Sequence, residues 1–460
     1  MQNEKSLRWA INLAALIVLM DLSVVNIALP EMRIHFNSTV SAISLVLMVS
    51  MLSASSSALI MGKMSQLFSP KKMLIFGFVL FGITSFLSGL VRDFNTLLAL
   101  RFIQGFAEAI LYVIGPAIIK RHIEPEKQAQ AYGQWMMSTG IGISIGPLIG
   151  GYLVGLFSWP AVFFINIPFI LLGLFFSLRL KFRMPIVEKE RFDFLGALWS
   201  FVFLASLIAA LNLARGHISF YWTVVLLFIS LLAFIFFLRR EKKYSHPILQ
   251  LSVFKVRNFR LASLGFFFFF TINVGSRFLR PFFFEEARGF SSELSGLLMV
   301  VAPLVMVLLS PLTGYFQKLW GTKRVVILGN IFLLLSMLMF SFWNQNSSLS
   351  FLIFSMFVLG LGMGFYYPAA TTIGMLALPN TNYGMGSAAI STSKSLGKLF
   401  GVLVFAFLFN AFLQQINPND IALLTQERAE AIQDVFRLAS GLAFVALVFS
   451  FFFKIERKKE

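Results

Sequence analysis

The chain has 460 residues, of which 58% are hydrophobic and 13% charged, whereas a soluble protein carries about 25% charged residues. This composition excludes an ordinary soluble domain and predicts an all-α integral membrane protein, because helices satisfy their own backbone hydrogen bonds in lipid. With no cysteine and four histidines, the sequence excludes disulfides and thiolate metal sites, and we expect no metal centre.

Fourteen apolar segments are long enough to cross a bilayer, which takes about 20 residues. Lys5 and Arg8 lead into a first segment of full length with no small-residue cleavage pattern, so we expect it to be retained rather than removed as a signal peptide. The connections are short and leave no room for a catalytic or nucleotide-binding domain, so an enzyme is not expected. The predicted spans are residues 8–30, 41–62, 73–91, 97–119, 133–157, 161–180, 194–213, 220–238, 261–284, 294–316, 325–343, 349–371, 384–413 and 436–454.

The positive charge behind the net charge of +18 is predicted to lie mainly on one side of the membrane. Most of the Lys and Arg lie in alternate connections, which by the positive-inside rule predicts a multi-pass protein of the inner or plasma membrane with both termini in the cytoplasm. We interpret the basic run 239–243 as a topology signal that contacts lipid headgroups rather than nucleic acid. The predicted outer segment before the last span is acidic, with Asp420, Glu427, Glu430 and Asp434.

The first span contains a carboxylate, Asp21, in the stretch Asp-Leu-Ser-Val-Val-Asn-Ile-Ala-Leu-Pro, residues 21–30. A charge at that depth costs about 3 kcal/mol on insertion scales and usually marks a proton or ion pathway. A carboxylate that alternates between an apolar cavity and a nearby cation can load and release a proton. The alternative is a permanently neutral or salt-bridged structural Asp.

The fourth span places Arg101, Gln104 and Glu108 at i, i+3 and i+7, on one face of a helix. This pattern predicts a shared polar cavity. Glu108 is a second candidate for protonation or substrate contact, and it lies about 10 Å along the helix from Arg101, which predicts no direct ion pair between them.

Two connections indicate an internal repeat. Residues 62–72 and 314–324 each begin with Gly and end with a basic pair at equal spacing, eight spans apart. We therefore predict an N-terminal six-helix bundle (1–185), two inserted helices with a cytoplasmic connector containing His246 and Pro247 (186–258), and a C-terminal six-helix bundle (259–460). Such repeats are typical of transporters with a substrate site near the midplane.

The fifth span reads Gly-Ile-Gly-Ile-Ser-Ile-Gly-Pro-Leu-Ile-Gly-Gly over residues 140–151. Small residues let helices approach closely in lipid, and a Gly-Pro pair weakens the helix at one point. The span is therefore predicted to pack tightly and to bend.

These motifs resemble signatures of the major facilitator superfamily. Residues 21–30 resemble Asp-x-Thr-Val-Val-Asn-Val-Ala-Leu-Pro, residues 101–105 resemble Arg-x-x-Gln-Gly, and the fifth span resembles the antiporter signature Gly-x-x-x-Gly-Pro-x-x-Gly-Gly. Trp159 and residues 164–168, Phe-Ile-Asn-Ile-Pro, also match. Over nearly its whole length, the chain looks like the fourteen-span drug:proton antiporter family.

The resemblance implies a major facilitator fold and proton-coupled export of amphipathic compounds by alternating access, driven by the proton gradient without a cofactor. It implies that Asp21 belongs to the proton-coupling site and that Arg101 tunes it or relays charge. Because Glu108 is a second candidate, either acid could couple proton movement to transport. The implied antiporter hinge consists of Gly142, Gly146, Pro147, Gly150 and Gly151.

The gating connection departs from the family. The pattern Gly-x-Leu-Ala-Asp-Arg-x-Gly-Arg-Lys has an Asp where this chain has Gln66, and the second copy has Lys318 at that position. Gly62, Lys71 and Lys72 are retained. A charged gating latch at this Asp is therefore predicted to be lost from both halves.

Cations outnumber acids inside the spans and bear on the substrate. Arg277, Arg280, Lys394 and Lys398 join Arg101, and a basic cavity prefers anionic or zwitterionic substrates because binding a negative group offsets the cost of an unpaired cation. The predicted substrate cavity comprises Asn26, Gln104, Arg277, Arg280, Tyr366, Tyr367, Lys394 and Lys398.

Several alternatives stay open. Arg277 and Arg280 are equally suited to reach the outer interface and pair with Glu285 or Glu286, and the Phe run at 266–270 suits packing or lipid contact. The leading function is a multidrug efflux antiporter that works with protons, an amphipathic small molecule and membrane lipids. The alternative is an exporter or flippase of an anionic amphiphile such as a fatty acid, lipid or acidic drug.

Overall fold

A computed structural model describes residues 2–180, 193–213, 220–244, 254–377, 383–413 and 421–454. Asp420 of the predicted acidic segment and the connector residues His246 and Pro247 lie outside these ranges. The described residues form helices and short connections, and the chain divides into two units, residues 1–248 and 249–460.

The first unit contains ten helices among its described residues. They are α1 (Gln2–His35), α2 (Val40–Ile43), α3 (Leu45–Leu67), α4 (Pro70–Leu90), α5 (Phe94–His122), α6 (Pro125–Phe157), α7 (Ala161–Phe164), α8 (Asn166–Leu178), α9 (Phe194–Leu213) and α10 (Phe220–Lys243). The inserted helices α9 and α10 are grouped with this unit, whereas the three-part division at residues 185 and 258 stays a prediction.

The second unit contains six α-helices and a π-helix within its described ranges. They are α11 (Arg257–Pro281), the π-helix Phe282–Ala287 that continues it, α12 (Ser292–Trp320), α13 (Thr322–Phe340), α14 (Leu349–Leu376), α15 (Tyr383–Phe412) and α16 (Ile421–Phe451).

Thirteen helices of the described residues are long and apolar enough to cross a membrane, which confirms the all-α membrane protein. The predicted number of fourteen is not established. The helix at the predicted seventh span, α9, has a shorter described apolar stretch, Phe194–Leu207.

The predicted gating connections are mostly helical, which corrects the expectation of loops at 62–72 and 314–324. Helix α3 continues to Leu67 and α4 begins at Pro70, where proline is favourable because the first helical turn needs no N–H donor. In the second copy, Gly321 alone separates α12 from α13, and its φ of +80° explains why glycine occupies that position.

The acidic segment before the last span is also helical rather than a loop. Helix α16 begins at Ile421, so Glu427, Glu430 and Asp434 lie within its first four turns, and Asp434 pairs with Arg437 over 2.5 Å.

Buried apolar residues of the first unit form a core that includes Ile114 of α5 and Phe78 of α4. This core holds α5, and with it the polar face of that helix, in place. The start of α5 is fixed by Asp93, whose carboxylate accepts hydrogen bonds from the backbone N–H and the hydroxyl of Thr96. These bonds lower the pKa of Asp93 because they favour the charged form.

The two units repeat the same close helix contacts. A Cβ on Gly105 of α5 would lie 2.5 Å from the carbonyl oxygen of Ser50 in α3, and one on Gly360 of α14 would lie 2.7 Å from that of Ala302 in α12. The four residues before each glycine correspond, so Met356 of the second unit occupies the repeat position of Arg101.

Candidate functional site

The first unit holds a buried polar network around Asp21 of α1. Both Asp21 and Arg101 of α5 are fully buried, and Nη1 of Arg101 donates to Oδ2 of Asp21 over 2.7 Å. Oδ1 of Asp21 accepts from Nδ2 of Asn166 over 2.7 Å and from Nε2 of Gln104 over 3.4 Å. Both carboxylate oxygens of Asp21 are therefore held by donors from other helices.

The guanidinium of Arg101 joins this pair to the second predicted acid. Its Nη1 also donates to Oε1 of Gln104 over 2.8 Å, and its Nε donates to the carbonyl of Val46 over 3.2 Å. Its Nη2 lies 3.9 Å from Oε1 of Glu108 and, among the described residues, makes no hydrogen bond.

This contact corrects the expectation that Arg101 and Glu108 are too far apart to pair. The distance of about 10 Å applies to the helix axis. Side chains on a helix lean toward its N-terminus, so Glu108 points back toward Arg101, and the long arginine covers the remaining distance.

Three polar residues of the network received no role from the sequence. Asn166 begins α8 and also donates to Oγ of Ser85 over 3.3 Å, Ser85 accepts from Gln104 over 3.0 Å, and Ser50 donates to Oε1 of Glu108 over 2.5 Å. Asn166 belongs to the Phe-Ile-Asn-Ile-Pro motif, which was the available signal. Single serines in apolar spans give no comparable signal.

The predicted cavity residue Asn26 is buried in α1, five residues after Asp21. Gln104 lies inside the network, because it contacts both Asp21 and Arg101.

The glycines of the antiporter motif pack directly on α1. A Cβ on Gly142 would lie 2.5 Å from the carbonyl oxygen of Leu16, one on Gly146 would lie 2.4 Å from Cβ of Ser23, and one on Gly150 would lie 3.1 Å from the carbonyl oxygen of Val24. This stripe therefore positions the stretch of α1 that carries Asp21.

The hinge itself stays a prediction. Helix α6 is helical on both sides of Pro147, and Gly151 is buried in the turn that follows. The second unit has a related stripe, because a Cβ on Gly397 or Gly401 of α15 would lie 2.5 Å from a carbonyl oxygen of α11.

The retained residues of the gating connection lie at a helix junction. Gly62 and Gln66 are in the last turns of α3, Lys72 is exposed in α4, and Lys71 donates to the carbonyl oxygen of Leu178 over 2.7 Å. Lys71 thus binds the C-terminal end of α8, where a cation is favourable.

The two arginines of α11 differ in burial. Arg280 is 3% exposed, with Nε donating to the carbonyl of Ser276 and Nη1 donating to Sδ of Met356, each over 3.3 Å. Arg277 is half-buried. Glu286, one of the predicted partners, pairs with Arg428 of α16 over 3.2 Å.

The lysines of α15 contact aromatic rings of α11 and α14. Nζ of Lys394 lies 4.5 Å from the ring centre of Phe266 and 4.4 Å from that of Tyr367, and it donates to the Tyr367 hydroxyl over 3.1 Å. Nζ of Lys398 lies 5.6 Å from the ring centre of Phe270.

The two tyrosines of the predicted pocket differ. Tyr367 faces Lys394, whereas Tyr366 is 1% exposed and stacks on Phe269 with ring centres 4.4 Å apart. Tyr366 is therefore placed as a packing residue.

The intramembrane cations of the second unit form two separate groups rather than one basic cluster. Phe266, which contacts Lys394, precedes Arg280 by 14 residues of α11, or about 21 Å of helix. A single small anion cannot reach both groups.

Comparison with known proteins gives three results. The model of the Major Facilitator Superfamily matches residues 11–279, 192–402 and 261–460. The riboflavin transporter RibZ of Clostridioides difficile is 27% identical over 436 residues, covering 94% of each chain. The multidrug export protein EmrB of Escherichia coli is 23% identical over 432 residues, covering 91% of this chain and 84% of EmrB.

Solved structures agree at the level of the fold. A bacterial homologue of the human lysosomal transporter Spinster superposes with a TM-score of 0.71 at 15% identity, covering 98% of this chain and 96% of that chain. A D-xylose–proton symporter gives a TM-score of 0.68 at 14% identity, covering 100% and 99%.

Proposed function

Because the chain belongs to the Major Facilitator Superfamily, whose members are membrane transporters rather than enzymes, we propose that it is a proton-coupled antiporter that exports amphipathic compounds. The observation that carries this proposal is the buried network in which Arg101 lies between two acids, Asp21 and Glu108. The multidrug exporter EmrB, a relative over most of the chain, supports the direction of transport and the substrate class.

Charge balance in the network supports one exchangeable proton. One guanidinium and two carboxyl groups leave a net charge of −1 when both acids are ionised, and no net charge when one acid is protonated. A buried unpaired charge is costly. The network therefore favours holding one proton whenever it is closed off from water.

The hydrogen-bond partners of the two acids support a choice of which acid carries that proton. Asp21 is bound by the guanidinium of Arg101 and by amide N–H groups, which only donate and therefore favour the ionised carboxylate. Glu108 accepts a hydrogen bond from the hydroxyl of Ser50, and a hydroxyl can either donate to a carboxylate or accept from a carboxylic acid. Glu108 exchanges the proton, and Asp21 serves as the fixed counter-ion of Arg101.

Arg101 links the proton to the conformational change. When Glu108 loses its proton, its carboxylate attracts Nη2 of Arg101, which lies 3.9 Å away and makes no hydrogen bond within the part of the chain that the structure describes. Any movement of Arg101 toward Glu108 loosens its bonds to Asp21 and to the carbonyl of Val46 in α3. Protonation is thereby coupled to the positions of α1, α3 and α5.

The second candidate function is export or flipping of an anionic amphiphile. The half-buried lysines Lys394 and Lys398 favour it, because they present two cations on one face of α15. The same antiport mechanism serves both candidates.

The test is proton movement in liposomes that contain the full chain and an internal pH dye. A cationic probe, ethidium, and an anionic probe, 8-anilinonaphthalene-1-sulfonate, are each applied under an imposed pH gradient. We expect substrate-driven proton flux from the wild-type protein, and for Glu108→Gln we expect loss of proton flux with retained substrate-for-substrate exchange.

Two further variants separate coupling from folding. Asp21→Asn leaves Arg101 buried without its fixed counter-ion, so we expect it to lose both proton flux and exchange. Glu430→Gln removes an exposed glutamate of α16 and should leave both unchanged. Proton flux that survives in Glu108→Gln would contradict the assignment of Glu108, and absence of flux with both probes would contradict the antiport.

A further inference from the structure

The second unit contains a ring cluster, defined here as Phe266, Phe270 and Tyr367, with Lys394 and Lys398 beside it. The rings of Phe266 and Phe270 each meet the Tyr367 ring edge to face, with centres 5.9 Å and 6.0 Å apart. The lysine ammonium groups lie against these rings at 4.4 to 5.6 Å from the ring centres. Two cations and a polar hydroxyl therefore border one apolar surface.

Among the described residues, Lys394 has polar and aromatic partners but no acidic one. Its ammonium group binds the Tyr367 hydroxyl, and no ion pair found among the described residues includes Lys394. Lys398 follows one turn later on the same helix face, where like charges repel. Both lysines, Tyr367 and Phe270 are half-buried, so a ligand can contact them.

We propose that the ring cluster and its two lysines bind an organic anion, a carboxylate, phosphate or sulfonate attached to an apolar body. This inference rests on the proposed export function and names the substrate class of that function. The anionic group binds the two ammonium groups, and the apolar body packs on the ring cluster.

The chemistry of the cluster favours an anion over a cation. Aromatic rings in a cavity often bind ligand cations through their faces, but here the protein's own Lys394 and Lys398 occupy the rings. A second cation would meet two positive charges. An anion gains a charge-assisted contact from each lysine.

Tyr367 supplies direction as well as contact. Its hydroxyl accepts from Lys394 over 3.1 Å, so its own O–H proton is directed elsewhere and can be donated to an anion oxygen. Two ammonium groups and one hydroxyl thus provide donors for a group with two or three oxygens.

The test is isothermal titration calorimetry of the full chain in nanodiscs of uncharged lipid, with no pH gradient. Three probes share one ring system: 1-naphthaleneacetate is anionic, 1-naphthaleneacetamide is neutral and 1-naphthylmethylammonium is cationic. We expect the anion to bind at least about tenfold more tightly than the other two, the difference expected of one charge-assisted contact.

Substitutions locate the site. Lys394→Gln and Lys398→Gln should each weaken anion binding about tenfold, and Tyr367→Phe about threefold, while binding of the amide stays unchanged. Lys318→Gln removes the same charge from an exposed position of α12 in the same unit and should leave binding of the anion unchanged. If Lys394→Gln fails to fold, Lys398→Gln and Tyr367→Phe still decide the result.

Equal binding of the three probes, or equal loss of anion binding in Lys318→Gln, would overturn the proposal. The second result would mean that the overall charge of +18 attracts the anion without a site. Because the measurement needs no proton movement, failure of the antiport assay leaves this result standing, and the reverse also holds.

Discussion

The glycine stripe of α6 makes a quantitative prediction for Gly146→Ala. The added Cβ would lie 2.4 Å from Cβ of Ser23 and 3.1 Å from the carbonyl oxygen of Met20. Ordinary contacts begin at 3.4 Å, so α1 and α6 must separate by about 1 Å at this point. Asp21 lies between the two contacted residues of α1, and we expect it to move with them.

The cost can be worked out against a matched glycine. Overpacking of this kind costs about 1–3 kcal/mol, whereas replacing glycine by alanine inside a helix gains up to about 1 kcal/mol. Gly441→Ala in α16 meets nothing within 4 Å and shows the helix gain alone. We therefore expect Gly146→Ala to be about 1–3 kcal/mol less stable than Gly441→Ala.

Two measurements check this prediction: unfolding of both variants in mixed micelles followed by tryptophan fluorescence, and proton flux in liposomes. A shift of about 1 Å acts on the bond of 2.7 Å between Asp21 and Arg101, so we expect flux of Gly146→Ala to fall at least about tenfold. Equal stability and equal flux in the two alanine variants would show that this contact does not position the coupling site.

Three more predictions follow from the contacts of single residues. Met356→Glu places a carboxylate beside the buried Arg280 and should stabilise the second unit by about 1.5–3 kcal/mol; an unchanged or lower unfolding midpoint would refute this. Asn166→Leu removes a donor at 2.7 Å from Asp21 and should lower the stability by about 1–3 kcal/mol in the same assay. Unchanged stability would contradict this and would mean that water replaces the amide. Importing one proton for each exported anion moves two charges across the membrane, whereas importing one proton for each exported cation moves no net charge. An inside-negative potential of 100 mV, set with valinomycin, should therefore contribute about 4.6 kcal/mol to the export of an anionic substrate and nothing to that of a cationic one.

The polar face of α5 could be predicted because the spacing of its residues follows the helical period. Arg101 and Gln104 follow the helical period, and both contact Asp21. The contact of Arg101 with Glu108 was missed because axial distance ignores the length and tilt of side chains. The partners Asn166 and Ser85 come from other helices, and one sequence does not specify which helices meet.

Helix ends were predicted less well than helix cores. Hydropathy detects the apolar part of a span, but α3, α12 and α16 continue beyond it into polar residues, since polar residues form helices where the backbone can hydrogen-bond internally. The separation of Arg280 from Lys394 could not be predicted for a related reason. Composition counts charges, whereas the rise of α11 separates Arg280 from the level of Lys394.

The two units share their packing glycines but differ in their charged residues. This difference is the basis for assigning a different role to each unit in the proposed transport. The second unit keeps Gly360 against α12 as the first keeps Gly105 against α3, but it has Met356 and Leu359 at the repeat positions of Arg101 and Gln104. The proposed coupling uses a cation that lies between two acids, and Met356 supplies no cation at the repeat position. In our proposal the first unit therefore carries proton coupling. The second unit, through the lysines of α15, recognises the charge of the substrate. Exchanging Met356 for Arg would place another cation beside the buried Arg280, so the electrostatics of the second unit favour an uncharged residue there.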